Sequence, residues 1–473
     1  MVENMKKKEF KINSKNTLDW MINYFNELNK YPVKSKVKPR DIFNKIPKIP
    51  PKKGENFSEI LDDFKNIILP GMTHWQHPNF HAFFPANNSY PSILAEMIIS
   101  TIGAQCMIWE TSPAAAELEE KVIDWLKNEM GIPKNWSGVI NDTASSGTLT
   151  SLLTAREVIS NYVVNKKGLN NNNFIVYTSK EAHSSVEKAI KIIGIGKNNL
   201  IKIDTNDDLS MNTKALEYKI KKDIDLNKTP LAIISTFGTT GTVSLDPINK
   251  ISLIAKKYNI WHHVDAAYAG SALIIKKYQK HIKNIHLADS FLFNPHKWML
   301  TNFDCSIYFV KNKEALIKTF EIFPEYLKTK SKNVNNYKDW GIQLGRRFRS
   351  LKLWFVIRSY GIDGIKKILK KHIKLAKLIN EKIEKINDFE ITAKRNFNMV
   401  NFRFKPIKIN DEYKLDILNK KLLKKLNNSG KVYLSHTKIN SVFSLRMPIG
   451  NTLSNKKHVL SSWNLIKNTA RSI

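Results

Sequence analysis

The sequence predicts an α/β fold built around a mainly parallel sheet. Between about residues 86 and 370, short apolar runs alternate with helical patterns, which is typical of α/β domains. The runs are dominated by bulky residues and lack the alternation of surface strands, so they suit strands that are buried on both faces. The clearest predicted strands cover residues 174–178, 231–236 and 260–264, and the run 290–293 also suits a buried strand.

The N-terminal region has a different pattern. Residues 1–85 predict an arm with helices over 18–28 and 57–68, separated by the proline-containing link 46–51. Proline favours an extended backbone, so we expect this link to run along the surface between the helices rather than to pack into a core. A segment with so few helices cannot bury its apolar stripes alone, and we expect it to find those contacts outside itself.

The C-terminal region returns to helix and strand patterns on a smaller scale. Apolar runs at 389–392, 400–404 and 442–446 predict strands of a compact α+β domain. We therefore divide the chain into the N-terminal arm of residues 1–85, a large α/β domain of residues 86–375 and a small α+β domain of residues 376–473.

Composition sets limits on partners and compartment. The chain has 473 residues and a net charge of +34, but only 10 of its 76 basic residues are arginine, and the lysines are scattered along helices. We interpret this charge as composition bias and expect no nucleic-acid partner. Two cysteines, no apolar leader and no uncharged run of about 18 apolar residues favour a cytoplasmic protein without a membrane span or a metal site.

Two segments carry the strongest chemical signal. Asp265 ends one apolar run, and Lys297 follows the next, in the segment Asn-Pro-His-Lys-Trp of residues 294–298. Because ligands gather at the carboxyl ends of parallel strands, both side chains should face one crevice. An amine for a covalent link and an anion for a pyridinium nitrogen are what a pyridoxal 5′-phosphate enzyme needs. Taken singly, Asp265 could cap a helix and Lys297 could be a surface lysine.

A cluster of small and hydroxyl-bearing residues predicts a phosphate site. Residues 142–148 read Asp-Thr-Ala-Ser-Ser-Gly-Thr and precede a periodic helix over 149–163. Backbone donors and hydroxyls at a helix N-terminus bind phosphate. The turn Phe-Gly-Thr-Thr-Gly-Thr at 237–242 also follows a predicted strand, and we expect it to lie against the same ligand.

Three long motifs together resemble one enzyme family. The segments at 73–78, 294–298 and 345–355 are similar to those of the group II pyridoxal-phosphate decarboxylases, the aromatic-L-amino-acid decarboxylase family. The resemblance extends from about residue 17 to residue 466. It implies a fold-type-I pyridoxal-phosphate enzyme that works as a homodimer, with the N-terminal arm clasping the partner and the active site at the subunit interface.

The resemblance also implies roles for individual residues. Lys297 would carry the cofactor, Asp265 would hold the ring nitrogen, and His183 would stack on the ring. Tyr326, followed by a polar stretch suited to a closing lid, would protonate the substrate Cα, which goes with an amine product; phenylalanine there goes with an aldehyde. The other residues implied to contact the cofactor are Ala144, Ser145, Thr240, Ala267, Asn294 and His296.

The implied substrate pocket is aromatic. Its residues are Trp75, Phe83, Phe84, Pro85, Gln105 and Met107, and Arg446 matches an arginine near the site. An aromatic slot favours a flat apolar side chain. Because Ala86, Gln105 and Met107 differ from residues common in animal members, Trp, Phe, Tyr and hydroxylated variants stay open as substrates.

The expected activity is decarboxylation of aromatic L-amino acids to amines and carbon dioxide. Alternatives within the family are a decarboxylase of another amino acid such as histidine, or an aromatic aldehyde synthase. From another class, a nonenzymatic basic scaffold is the alternative, but such a scaffold has no physical need for Lys297, Asp265, His183 and Tyr326 together.

Overall fold

The computed structural model describes residues 5–169, 173–322 and 334–473. The contacts of the chain divide it into two compact units. The larger unit contains residues 86–381 and 391–401, and the remaining residues form the smaller unit. The division into three parts that we expect from the sequence stays a prediction.

The N-terminal region is mostly helical. Its elements are α1 Lys7–Asn26, α2 Asp41–Lys45, α3 Phe57–Asp63 and the short strand β1 Phe80–His81. Helix α1 begins well before the predicted residue 18. None of its residues is buried in this chain, and its first turns interleave Phe10 and Ile12 with lysines, so they give no continuous apolar period.

The larger unit is built on a seven-stranded sheet. Its elements in chain order are α4 Tyr90–Ile102, α5 Pro113–Met130, β2 Ser137–Asn141, α6 Ala144–Ile159, α7 Val163–Lys167, β3 Phe174–Ser179, α8 Ser185–Ile192, β4 Leu200–Ile203, α9 Thr213–Asp225, β5 Thr229–Thr236, α10 Ile248–Lys257, β6 Trp261–Asp265, β7 Ser290–Phe293, α11 Pro295–Trp298, β8 Ser306–Val310, α12 Lys313–Phe320 and α13 Arg349–Glu384. The strand order is β2-β8-β7-β6-β5-β3-β4. Strand β8 runs antiparallel to both of its neighbours, β2 and β7, and the other four pairs are parallel, which confirms the predicted mainly parallel sheet.

Both faces of this sheet are covered. On β3, Val176 packs into a core cluster that includes Leu152 of α6, whereas its neighbour Ile175 packs into a second cluster with Leu216 of α9 and Ile251 of α10. Successive side chains of a strand point to opposite faces, so a strand buried on both sides is apolar throughout. The continuous apolar runs in the sequence reflect this arrangement.

The C-terminal part of the chain contains a second, smaller sheet. Its elements are β9 Phe389–Ile391, β10 Met399–Phe404, α14 Glu412–Asn428, β11 Tyr433–Ile439, β12 Val442–Pro448 and α15 Lys456–Ala470. The strand order is β1-β11-β12-β10-β9, so the N-terminal β1 completes this sheet. The strands agree with the predicted α+β character of the C-terminal region.

None of the helices in the described part of the chain combines the length and the apolar character that a bilayer span requires.

Candidate active site

Asp265 and Lys297 both lie at the carboxyl ends of neighbouring parallel strands. Asp265 is the last residue of β6 and pairs in register with Leu292 of β7. Lys297 lies in the single turn α11 that follows β7. Because β6 and β7 are parallel, the two residues come to the same edge of the sheet, where open α/β sheets bind ligands.

Electrostatics show that His183 shares this location. Desolvation lowers the pKa of Lys297, and the nearby Asp265 carboxylate opposes that shift. Desolvation also lowers the pKa of His183, with a further decrease caused by Lys297 and an opposing effect from Asp265. The three side chains therefore lie within interaction range of one another, in the larger unit.

The backbone around these residues is held by specific hydrogen bonds. The Ala267 N–H donates to Asp265 Oδ1 over 2.9 Å. The Asn87 amide donates to the carbonyl oxygen of Lys297 over 2.9 Å. The Ser185 N–H donates to His183 Nδ1 over 3.1 Å. Asn87 is a supporting residue that the sequence reasoning missed, since nothing in its sequence surroundings relates it to Lys297.

The predicted phosphate site is the first turn of α6. Thr143 caps the helix by accepting the Ser146 N–H, and Asp142 Oδ1 accepts the Thr143 N–H over 2.8 Å. Ser145 is exposed and Ala144 is partly buried, so the free donors of this turn are accessible. Unpaired N–H groups at a helix N-terminus attract anions.

The threonine-rich turn after β5 is internally braced. Thr239 and Thr242 contact each other through their hydroxyls at 3.1 Å, and Thr239 Oγ1 accepts the Ser244 N–H over 3.0 Å. Gly238 has φ +98°, and a Cβ there would lie 2.6 Å from the Cβ of Ala269. Thr240 is exposed next to these buried residues, which leaves its side chain accessible to a ligand.

Asn294 and His296 fix the turn that carries Lys297. The Asn294 N–H donates to the Ala267 carbonyl over 3.1 Å, which ties this turn to the one after β6. His296 is almost fully buried, and its Nδ1 accepts the Cys305 N–H over 2.9 Å. Desolvation lowers the pKa of His296 to about 3, so its ring stays neutral.

Three of the predicted substrate residues, Trp75, Phe83 and Phe84, lie in the smaller unit. The rings of Trp75 and Phe83 stack at 5.8 Å, and both side chains are exposed. The Arg446 guanidinium lies 5.2 Å from the centre of the Phe84 ring and donates to Ser435. Pro85 is buried.

Gln105 and Met107 belong to the larger unit. The Gln105 carbonyl accepts the hydroxyl of Thr111, and the Met107 carbonyl accepts the Lys338 N–H over 2.8 Å. The assignment of these two residues and the three aromatic residues to one substrate pocket stays a prediction. Tyr326 lies outside the described residues.

The residues present fit pyridoxal 5′-phosphate. Lys297, whose pKa is lowered, suits a covalent link to an aldehyde. The Asp265 carboxylate, which interacts with Lys297, suits a protonated ring nitrogen. An accessible helix N-terminus with an exposed serine suits the phosphate. Within the described residues no group of three or more His, Cys, Asp or Glu side chains could hold a metal ion.

Comparison with known proteins agrees with this chemistry. Residues 39–405 match the family model described as the pyridoxal-dependent decarboxylase conserved domain. A phenylacetaldehyde synthase of Arabidopsis thaliana is 38% identical over 96% of this chain and 94% of its own length. A tyrosine decarboxylase of Papaver somniferum is 38% identical over 97% of this chain and 94% of its own length.

A solved structure shares the fold. The crystal structure of Oryza sativa TDC with PLP and tryptamine superimposes with a TM-score of 0.96 at 31% identity, covering 100% of this chain and 99% of that one. The resemblance inferred from the sequence motifs is thereby confirmed. The chain belongs to the family of pyridoxal-dependent decarboxylases, with pyridoxal 5′-phosphate as its cofactor.

Proposed function

We propose that this enzyme removes the α-carboxylate from aromatic L-amino acids and releases the corresponding amine and carbon dioxide. The observation that carries the proposal is the placement of Asp265 and Lys297 at the carboxyl ends of the adjacent parallel strands β6 and β7. Similarity to a tyrosine decarboxylase and to a protein solved with tryptamine supports an aromatic substrate.

Each of these residues has a distinct task. The lowered pKa of Lys297 increases the fraction of neutral amine, the form that attacks an aldehyde. When bound, pyridoxal 5′-phosphate supplies an electron-accepting ring that stabilises the negative charge left at Cα after carbon dioxide departs. Asp265 would pair with the protonated ring nitrogen, and His183 would lie against the ring face.

The phosphate would be held by backbone and hydroxyl donors. We assign this role to Ala144 and Ser145 at the start of α6, with Thr240, Asn294 and His296 around it. Ala267, whose N–H donates to the Asp265 carboxylate, would contact the cofactor ring. The Asn294 and Ala267 backbones and the His296 ring are already held by hydrogen bonds, so these groups need little rearrangement when the ligand binds.

The substrate side chain would be recognised by aromatic surface. Trp75, Phe83 and Phe84 present stacked or partly exposed rings, on which a flat apolar side chain gains burial and stacking energy. Gln105 and Met107 would adjust the choice among aromatic side chains.

The product depends on how Cα is protonated. We assign the proton donor to Tyr326, a phenol whose replacement by phenylalanine would favour oxidation to an aldehyde. The second candidate function is therefore an aromatic aldehyde synthase, and the similarity to a phenylacetaldehyde synthase is the observation that favours it.

A substrate panel tests the proposal. The purified enzyme with its cofactor is given Trp, Tyr, Phe, dihydroxyphenylalanine and His, and amine, carbon dioxide, aldehyde and hydrogen peroxide are quantified. We expect equal amounts of amine and carbon dioxide from at least one aromatic substrate, and none from Lys297→Ala. Aldehyde and peroxide equal to carbon dioxide would instead establish the aldehyde synthase. Turnover of histidine alone would overturn the aromatic assignment.

We also propose a homodimer with the active site at the subunit interface. Helix α1 has no buried residue, and its exposed apolar side chains need a partner surface. These side chains are Phe10, Ile12, Leu18 and Ile22. Light scattering should show a dimer whose dissociation is promoted by Ile22→Asp and not by Lys15→Asp on the same helix. A monomeric wild type would refute the proposal.

A cytoplasmic location is consistent with the cysteines. Cys106 and Cys305 are both buried and free. Paired cysteines are typical of oxidising compartments, so two free thiols support a reducing one.

A further inference from the structure

A buried aromatic pair connects the two turns that carry the cofactor-binding groups. Tyr268 lies three residues after Asp265, and Trp298 directly follows Lys297. Their rings stack at 5.3 Å with an interplanar angle of 11°. Both side chains are almost completely excluded from solvent. The pair therefore joins the Asp265 turn to the Lys297 turn through side chains, in addition to the backbone pairing of β6 with β7.

The polar end of each ring is bound by a fully buried residue from another element. Trp298 Nε1 donates to His372 Nδ1 in α13 over 3.0 Å. The Asn398 amide donates to the Tyr268 hydroxyl over 2.5 Å. Buried Trp and Tyr rings usually find such partners, so these bonds alone indicate only a satisfied core. What distinguishes this pair is the identity of the two turns that it joins.

The loop that contains Asn398, residues 391–401, also contacts the other turns at the carboxyl edge of the sheet. Phe397, which has φ +46°, packs edge-on against Trp298 at 6.4 Å and against Phe237 at 5.8 Å. Phe237 begins the threonine-rich turn that contains Thr240. The Asn401 amide donates to the Gly241 carbonyl in the same turn over 3.1 Å. Residues 391–401 thus contact each of the three turns around the proposed cofactor, and all of these residues belong to the larger unit.

We propose that Tyr268, Trp298, His372 and Asn398 are positioning residues that hold Lys297 and Asp265 at a fixed separation. None of them needs to touch the cofactor or the substrate. Their effect is exerted through the two turns, because reactive groups must be held within a fraction of an ångström by locked neighbours. This inference rests on the proposed roles of Lys297 and Asp265. It assigns a function to four residues for which the sequence motifs imply none.

Four variants of the full-length enzyme separate positioning from simple core packing. His372→Leu removes the acceptor for Trp298 Nε1, whereas His372→Asn keeps an acceptor at nearly the same place. Trp298→Phe keeps a stacking ring and removes the donor. Trp136→Phe is the matched control, because Trp136 is equally buried in the same unit but lies outside the cofactor-side turns.

Three properties are measured for each variant: the melting temperature, the dissociation constant of pyridoxal 5′-phosphate, and the pH titration of the visible absorbance band of the bound cofactor. We expect His372→Leu and Trp298→Phe to raise the dissociation constant about tenfold, equivalent to about 1.4 kcal/mol, and to shift the pH titration. His372→Asn should restore both properties, and Trp136→Phe should lower only the melting temperature.

The outcomes are distinguishable from a failure of the proposed function. If His372→Leu and Trp298→Phe melt at lower temperature but bind cofactor and titrate like Trp136→Phe, the pair is ordinary core and the inference is overturned. If Trp298→Phe does not fold, the comparison of His372→Leu with His372→Asn still decides. If the visible band of the wild-type enzyme persisted unchanged in Lys297→Ala, the proposed role of Lys297 would be overturned instead.

Discussion

At the scale of single residues, the charge of Asp265 matters more than its shape. Asn at this position keeps an oxygen that can accept the Ala267 N–H, so the local fold should survive. The neutral amide cannot balance a pyridinium charge, and loss of a charge-assisted hydrogen bond costs about 1.5–3 kcal/mol. We therefore expect Asp265→Asn to bind cofactor but to lose roughly 10- to 150-fold in kcat, measured by carbon dioxide release.

Asp289→Asn is the matched control for this prediction. Like Asp265, Asp289 is a carboxylate that accepts a backbone N–H, here from His262, but it directly precedes β7 rather than lying at a carboxyl end of a strand. Its variant should keep the wild-type kcat. Wild-type turnover in Asp265→Asn would exclude Asp265 as the partner of the ring nitrogen.

Tyr326 controls the product rather than the fold in our interpretation. Tyr326→Phe removes one hydroxyl, so protonation at Cα should become slower. Dioxygen then has more time to react at Cα. We expect less amine and more aldehyde, ammonia and peroxide from the same substrate, quantified by chromatography. Tyr258→Phe, which removes a hydroxyl bonded to Glu217, should leave the product ratio unchanged. An unchanged amine rate in Tyr326→Phe would make His183 the leading proton donor.

At the scale of elements, the turn between β5 and α10 depends on a glycine. Gly238 has φ +98°, and a Cβ there would lie 2.6 Å from that of Ala269, closer than real Cβ atoms approach. Gly238→Ala should therefore cost about 2 kcal/mol or more in stability and weaken cofactor binding, because the turn must move.

A second glycine separates the steric effect from the conformational one. Gly103 also has a positive φ, +62°, but nothing lies within 4 Å of an added Cβ. Gly103→Ala should cost only about 1 kcal/mol and leave cofactor affinity unchanged. Thermal unfolding and cofactor titration of both variants give the comparison, and equal effects would show that the contact with Ala269 is unimportant.

The elements that sequence patterns predict well are those that the core defines. The sequence predicts β6 over 260–264, and the strand covers Trp261–Asp265, because a run buried on both faces is apolar throughout. For α6 the apolar period predicts a helix over 149–163, but the helix covers Ala144–Ile159. Its N-terminal residues are small and hydroxyl-bearing, and they give no apolar period, so only the capping pattern marks its true start.

The site could be predicted only in part, for a physical reason. Lys297 and Asp265 stand at the ends of recognisable strands, so their sequence positions imply their places in space. His372 and Asn398 contact the neighbouring turns from distant parts of the chain, and a single sequence contains no signal for such contacts. Their role became visible only through tertiary packing.

At the scale of the whole molecule, buried histidines make stability depend on pH. His262 and His263 are fully buried in β6, and desolvation lowers the pKa of each to about 3. A histidine in the unfolded chain has a pKa of about 6.5, so below that pH it becomes protonated while the native ring stays neutral. Each such histidine therefore removes up to about 1.4 kcal/mol of stability per pH unit as the pH falls below about 6.

Buried carboxyl groups act in the opposite direction. Desolvation raises the pKa of Asp246 to about 7 and that of Asp289 to about 6. Their native forms bind protons more readily than the unfolded chain does, so their contribution to stability is lost as the pH rises through these values. The pH dependence of the wild type is thus a difference between opposing groups, and a single-residue variant is needed to isolate one histidine.

His262→Gln isolates that contribution. The His262 ring contacts Ser235 at 2.7 Å and Ser252 at 3.1 Å, and its backbone N–H keeps its bond to Asp289 whatever the side chain. At pH 7.5 the variant should be less stable by about 1–3 kcal/mol, because these hydroxyls lose partners. Between pH 7.5 and 5.5 its melting temperature should fall less than that of the wild type, because glutamine has no proton to gain. An equal or larger fall in His262→Gln would show that this ring is not the source of the acid sensitivity.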